Sequence, residues 1–386
     1  MLTRREFLSG AAAVTAGFPA IAQSRPLRIG ALISQADARG QNEMIQPYDQ
    51  QMRLGLELAI SEINGSGGIL NRQVELLIAD DDGSPAPGAN AALSMIKSQG
   101  VEALVSGFVV AIRSYLDRAL ERGRLNVPVI HACQTEGTYC GRVAHVGPTT
   151  VQAITTLIEH LGAASRQRTF QMSDWTPSQR TVSLQFYSMV QSAATGVALV
   201  TTPVTGNLPG EFGGIVRWAR DVDARNIWIS VPRPYAVNVV RQAYAAGLGS
   251  SFNYHFLDFS EWQASQVPDD ANVWTSVPFV ASDANPEVQD FVARARRHSG
   301  ADLVTHIAFT HYNAIRVLKL AMEKAGSTSG DRVMAALDGM ELHAATGRIT
   351  FSGGYASLPM YVARAARGRL EVVRKFDAVP SGVTCA

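Results

Sequence analysis

Three groups of side chains in this sequence have types and spacing that chemistry can use. Asp80-Asp81-Asp82 sets carboxylates in a row, His306 and His311 share one segment, and Cys133 and Cys140 lie close together. A metal site needs several convergent ligands at tight spacing, and no second ligand cluster accompanies the aspartates. Followed by Gly83, Ser84 and Pro85, they read as a strand-to-helix turn. His306 and His311 are five residues apart and fall on different helix faces, and no H-E-x-x-H occurs. The nucleophile elbow G-x-S-x-G, the P-loop and the dinucleotide glycine fingerprint are also missing. We therefore expect no enzymatic activity, no cofactor and no metal.

The elements around these residues follow a regular plan. Met52, Leu56, Ala59, Ile60 and Ile63 recur at helical spacing, and Asn64 with Gly65, Gly67 and Gly68 stops that helix. Val74 to Ala79 follows as a buried strand. With strands expected at Leu27–Ile33, Val101–Ser106 and Val127–His131, and Ser34–Asp49 as a long loop, this is a doubly wound α/β set. A crossing strand at Val143–Gly147 leads to a second alternation from Gln152 to Leu257. Two consecutive sets argue two similar lobes. Ligands of such sheets sit beyond the carboxyl ends of the strands. The candidate positions are therefore the strand-end loops at 107–111, 131–136, 173–177, 231–235 and 258–262.

The 386 residues suit two ordinary domains, and 46% apolar with 17% charged residues is normal for a globular protein. A net charge of +1 gives no reason to expect a nucleic-acid partner. Residues 1–22 read as a leader. Thr3-Arg4-Arg5-Glu6-Phe7-Leu8 is a twin-arginine pattern, an apolar run follows from Ala11 to Ile21, and Ala20-Ile21-Ala22 gives a small-x-small cleavage site. Export to an oxidising compartment is then expected, and there a Cys133–Cys140 bridge forms if backbone geometry allows.

The stretch E-I-N-x-x-G-G-I-L-x-R (Glu62 to Arg72), with D-D-G-S-P from Asp81 to Pro85, resembles periplasmic branched-chain amino-acid and amide (urea) binding proteins. These are the solute receptors of ABC importers. The resemblance implies a type I periplasmic-binding fold, with two Rossmann-like lobes and a hinge. One lobe would hold 23–147 plus 278–353, the other 148–277 plus 354–386, with crossovers near Gly147, Val277 and Gly353. It implies a monomer in the periplasm, a small-molecule ligand between the lobes and an inner-membrane permease as partner. A periplasmic sensing module is the alternative use of the same fold.

Carried onto this chain, the ligand-binding positions are Phe108, Val109, Val110 and Ala111, then Cys133, Gln134 and Thr135, and in the second lobe Trp175, Arg233, Asp258 and Glu261. Each has a plainer reading. Val109 and Val110 suit core packing, Trp175 a loop plug, Arg233 a solvated charge between prolines, and Asp258 or Glu261 a helix-start acid. His131 suits a hydrogen-bonded strand end. An amino acid or amide is the preferred ligand, because Asp258 and Glu261 offer acceptors to N–H groups. An aromatic or aliphatic carboxylate clamped by Arg233 is the alternative.

Overall fold

The computed structural model describes residues 25–34, 42–107, 109, 111–137, 139–161, 167–174, 177–193, 199–204, 212–231 and 233–385. The leader expected at 1–22 lies outside them. The chain first alternates β1 (Leu27–Ile33), α1 (Asn42–Gly65), β2 (Val74–Asp80), α2 (Pro85–Gln99), β3 (Ala103–Ser106), α3 (Ile112–Gly123), β4 (Val129–His131) and β5 (Val143–His145). A second run follows: α4 (Thr150–Leu161), β6 (Thr169–Asp174), α5 (Pro177–Ala193), β7 (Leu199–Val204), α6 (Gly213–Asp221), β8 (Asn226–Ser230), α7 (Arg233–Ala245), β9 (Asn253–Leu257), α8 (Glu261–Ala264) and β10 (Asn272–Val277). The last elements are α9 (Pro286–Ser299), α10 (His306–Ala325), α11 (Gly330–Leu337), β11 (Glu341–Ala344), β12 (Gly347–Ser352), β13 (Tyr355–Ala366) and β14 (Arg369–Val379).

Two parallel sheets result, ordered β2-β1-β3-β4-β5 and β7-β6-β8-β9-β10. Each reads 2-1-3-4-5 in its own chain order, so the fold is two doubly wound lobes of one topology. Both strand orders reverse beside their first strand, and the open crevice of such a sheet lies there. Strand β13 belongs to both sheets. Its start pairs with β5 and β12, and its remainder runs antiparallel to β10 and β14.

The glycine-rich motif of the first lobe holds the scaffold. Asn64 Nδ2 donates to the Val74 carbonyl (2.9 Å) and its Oδ1 accepts from Val74 N (2.7 Å), fixing the helix end to the strand. A Cβ on Gly68, whose φ is +83°, would lie 1.9 Å from the Arg72 carbonyl oxygen. Arg72 donates to the Arg25 and Pro26 carbonyls and pairs with Glu102. The five apolar residues expected on one face of α1 are all buried. They pack on α10 at close range, because a Cβ on Gly55 would meet the Ala308 oxygen at 2.1 Å. The expected loop from Ser34 to Asp49 is corrected in its second half, since α1 already begins at Asn42, with Pro47 inside it. Tertiary packing supports this polar turn, because Tyr48 is buried in the core.

The segments that pass between the lobes are tied together by one side chain. Gln152 Nε2 donates to the carbonyls of Ala356 (3.1 Å) and Val379 (2.7 Å), and its Oε1 accepts from Thr149 N (2.8 Å). Thr149 Oγ1 donates to the Ser381 carbonyl at 2.7 Å. The tail beyond β14 thereby returns to the first lobe, where Cys385 is bonded to Cys140 with Cα atoms 5.4 Å apart. This corrects the expected Cys133–Cys140 bridge. Cys133 faces the core of the first lobe and is 4% exposed, whereas Cys140 lies on an outer loop that the tail can reach. Serine at Cys140 or Cys385 is expected to lower stability by about 2–4 kcal/mol, because the bridge closes a very long loop in the unfolded chain. Urea unfolding with and without reductant checks the magnitude, and an unchanged midpoint on reduction would contradict it.

Candidate functional site between the lobes

In the first lobe, β3 ends at Gly107, where a Cβ would come 2.9 Å from Met52 Sδ and 3.2 Å from His311 Nε2. The chain runs flush over α1 and α10 there and turns into α3. Val109 packs on the apolar cluster under α2 and α3, and Ala111 is exposed at the α3 N-cap. Phe108 and Val110 lie outside the described residues. No side chain among the described residues caps α3, and Ile112 N donates to the Val109 carbonyl at 3.0 Å, so the helix presents a positive end with its first N–H already engaged.

The loop after β4 is zipped to the first crossover. Thr135 N donates to the Pro148 carbonyl (2.8 Å) and Thr150 N to the Thr135 carbonyl (3.0 Å). Gln134 and Thr135 are buried, yet Gln134 Oε1 and Thr135 Oγ1 have no hydrogen-bond partner among the described residues. Buried polar atoms are nearly always paired, so two adjacent residues without a described partner are candidates for contact with a polar ligand. His131, read as a strand-end residue, bonds Ser106 Oγ through Nδ1 at 3.1 Å.

Beneath this loop lies Arg113, a residue that sequence reasoning missed. It is 7% exposed, and donates to the Glu136 carbonyl and to His145 Nε2, both at 3.0 Å. A guanidinium only donates, so His145 accepts at Nε2 and carries its proton on Nδ1. Desolvation first, and the Arg113 charge second, pull the His145 pKa down to about 3. The His145 ring stacks on Tyr355, whose hydroxyl donates to the Tyr139 carbonyl at 2.9 Å. In the sequence Arg113 opens an amphipathic helix and looks like one more solvated arginine. Only the neighbouring strand ends reveal its burial.

In the second lobe, Ser230 Oγ at the end of β8 is buried without a partner among the described residues. Arg233 is the first residue of α7, which corrects the expected rigid loop, and its side chain lies outside the described residues. Trp175 lies outside them too. Asp258 follows β9 with a φ of +62°, in the left-handed region that a non-glycine residue seldom occupies. Its Oδ1 accepts from Nε2 of His306, the first residue of α10 on the opposite lobe. Glu261 opens α8, and its Oε1 accepts from Ala281 N at 3.0 Å. Burial raises its pKa, and the His306 charge partly offsets that.

The lobes touch elsewhere too. Tyr48 meets Trp262 edge to face at 6.2 Å, and a Cβ on Gly137 would sit 3.3 Å from Thr181 Cγ2. The structure thus brings Asp258 and Glu261 of the second lobe to His306 of the first, and sets Gln134 and Thr135 separately against the first crossover. The Asp80–Asp82 stretch is a turn: Asp81 Oδ1 accepts from Ser34 Oγ (2.6 Å) and Gly83 N (3.0 Å). No group of three His, Cys, Asp or Glu side chains among the described residues is arranged to hold a metal.

Comparison with curated protein sequences gives no match. Among solved structures, a solute-binding protein of an ABC transporter from Rhodopseudomonas palustris BisB5, in complex with 3,4-dihydroxybenzoic acid, superimposes with a TM-score of 0.77 at 16% identity, covering 92% of this chain and 99% of that one. A leucine-, isoleucine-, valine-, threonine- and alanine-binding protein from Brucella ovis, in its closed conformation, gives 0.78 at 13% identity, over 94% and 99%. An amino-acid ABC transporter substrate-binding protein from Pseudomonas fluorescens Pf-5 gives 0.79 at 15%, again over 94% and 99%. These likenesses concern the fold. The sequence profile of the family described as periplasmic binding protein matches residues 27–369, which is most of the chain. With two lobes of one topology and that match over most of its length, this chain belongs to the periplasmic binding protein family.

Proposed function

We propose that this protein captures a small carboxylate-bearing solute between its lobes and delivers it to an ABC importer in the inner membrane. Lobes of 23–147 plus 278–353 and 148–277 plus 354–386, the second sending its tail back to Cys140 of the first, would close over the ligand. Export would be directed by the twin-arginine leader. The ligand meets the first lobe, and closure of the second removes it from water. Only the difference in affinity between closed and open forms drives that step.

The observation that carries the carboxylate reading is the distribution of charge across the cleft. The first lobe offers the positive N-terminal end of α3, with the buried Arg113 guanidinium in its first turn. In the second lobe, Asp258 is engaged by His306 and Glu261 by Ala281 N. Burying an anion requires donors and positive potential, and among the described residues these lie on the first wall. This moves the preference from an amino acid or amide towards an aromatic or aliphatic acid. Benzoate-class ligands in several fold neighbours are consistent with it. One observation supports the amino-acid or amide reading: Glu261 Oε2 is buried without a partner among the described residues, an acceptor ready for N–H.

Calorimetry against benzoate, 4-hydroxybenzoate, 4-methylpentanoate, L-leucine and acetamide tests the reading. The acids are expected to bind, and Arg113→Met to weaken them about tenfold or more, as loss of a charge-assisted anchor does. Binding of L-leucine or acetamide with no response to any acid would overturn it.

A further inference from the structure

The Asp258–His306 pair joins two lobes that move apart when such a receptor opens. Both side chains are buried, Asp258 at 4% and His306 at 2% exposure, and Glu261, three residues after Asp258 and within reach of the His306 charge, is 7% exposed. Asp258 holds a left-handed backbone conformation, so its carboxylate is aimed by the chain at a cost in local strain. Thr305 Oγ1 caps α10 by accepting from Ile307 N (3.3 Å), and Gln51 Oε1 accepts from Thr305 N (2.8 Å), which fixes the residue before His306. The imidazole is thus a rigid donor supplied by one lobe to an acid supplied by the other.

We infer that His306 sets the charge selectivity of the cleft, occupying with its own ring a cation subsite formed by Asp258 and Glu261. This rests on the reading that the cleft binds the solute. With the imidazole present, a ligand ammonium would have to displace Nε2–H from Asp258 and leave a buried histidine donor unmet. Ligands without a cationic group close the lobes at no such cost. Without the imidazole, two buried carboxyl groups face an empty volume of the ring's size. That volume accepts an ammonium or an imidazolium.

The test uses the full mature protein and its His306→Ala and His306→Gln variants. The first arm is chemical rescue, followed by thermal shift with imidazole and with methylammonium. Stabilisation of His306→Ala that is absent from the wild type is expected, and a folded His306→Ala protein indifferent to both cations would overturn the inference. Should His306→Ala not fold, His306→Gln, which keeps an N–H donor, carries the test in the second arm. That arm compares 4-methylpentanoate with L-leucine, which differ at the α-ammonium. The wild type is expected to prefer the acid about tenfold or more, His306→Gln, whose amide fills less of the ring's volume, to narrow that preference measurably, and His306→Ala to reverse it; an unchanged ratio in His306→Gln counts against the assignment. A wild type that prefers L-leucine, or a ratio unchanged in His306→Ala, refutes the assignment. Failure of every acid to bind the wild type would instead sink the proposed ligand class, while the rescue arm still reads the subsite.

Discussion

Between pH 6.5 and pH 5.5 the unfolding free energy is expected to fall by roughly 2–4 kcal/mol, far more than surface titration produces. His131, His145, His255 and His311 are each at most 1% exposed. Desolvation, the leading cause in each, holds His145 and His255 at about 3 and His311 at about 4, and puts His131 well below its ordinary value. In the unfolded chain these rings titrate near 6.5. Between 6.5 and the folded values, the unfolded chain binds protons that the folded protein refuses. Stability is therefore fully present above 6.5 and drains away as pH falls. The loss levels off only when pH reaches the folded values. Each ring contributes about 1 kcal/mol over that first unit. The raised carboxyls of Asp81 and Glu261, both lifted chiefly by burial, act in the opposite sense. Urea titrations at pH 7.5, 6.5, 5.5 and 4.5 measure the slope. His255→Gln, whose amide can still bond Asn226 Oδ1 in place of the ring at 3.1 Å, should remove one ring's share. A stability that is flat from 7.5 to 5 would show that these rings are protonated within the fold.

Alanine at Gly147 is expected to cost about 3 kcal/mol or more and to abolish solute binding with it. A Cβ there would stand 2.1 Å from the Cys133 carbonyl oxygen and 2.6 Å from that of Ala132. Both neighbours are backbone, so no side chain can swing aside, and the strain must move the loop itself. That loop carries Gln134 and Thr135, whose side-chain oxygens are buried without a partner among the described residues. Gly137→Ala makes the contrast. Its added methyl would meet only Thr181 Cγ2 at 3.3 Å, although its φ of +67° imposes a strain of about 1 kcal/mol. Denaturation and calorimetry on both variants separate the effects. A Gly147→Ala protein of wild-type stability would mean the crossover yields more easily than its packing indicates.

The periodic parts of this fold are legible in the sequence. The alternation of strands and helices, the glycine stop after Ile63 and the turn at Asp80–Pro85 are local events, written in residues a few positions apart. The rule that ligands sit at strand ends also singles out Gln134, Thr135, Asp258 and Glu261 from sequence alone. Partners supplied by distant parts of the chain are beyond its reach. Arg113 becomes special only because His145 and the Glu136 carbonyl close over it. His306 reads as the start of a helix until Asp258, 48 residues earlier, is folded against it. The first turns of α1 look like loop because their support comes from tertiary packing of Tyr48, including the Trp262 ring. The cysteines mislead for the same reason: nearness in sequence ranks Cys133 and Cys140 together, while the tail brings Cys385 to Cys140.

That last bond also bears on how the molecule matures. Its two sulfurs are separated by 245 residues, a span that contains strands β6 to β10 of the second lobe and all three expected crossovers. Random encounter of such distant groups is rare, and the fold must first deliver the tail to its loop. Oxidation at this site therefore comes after assembly rather than guiding it. It serves as a covalent record that both lobes have formed and that the chain has left the reducing compartment. A population sampled shortly after synthesis should contain folded, reduced molecules and no oxidised, unfolded ones. Thiol trapping during refolding would show the same order, with tertiary structure appearing before the Cys140 and Cys385 thiols disappear.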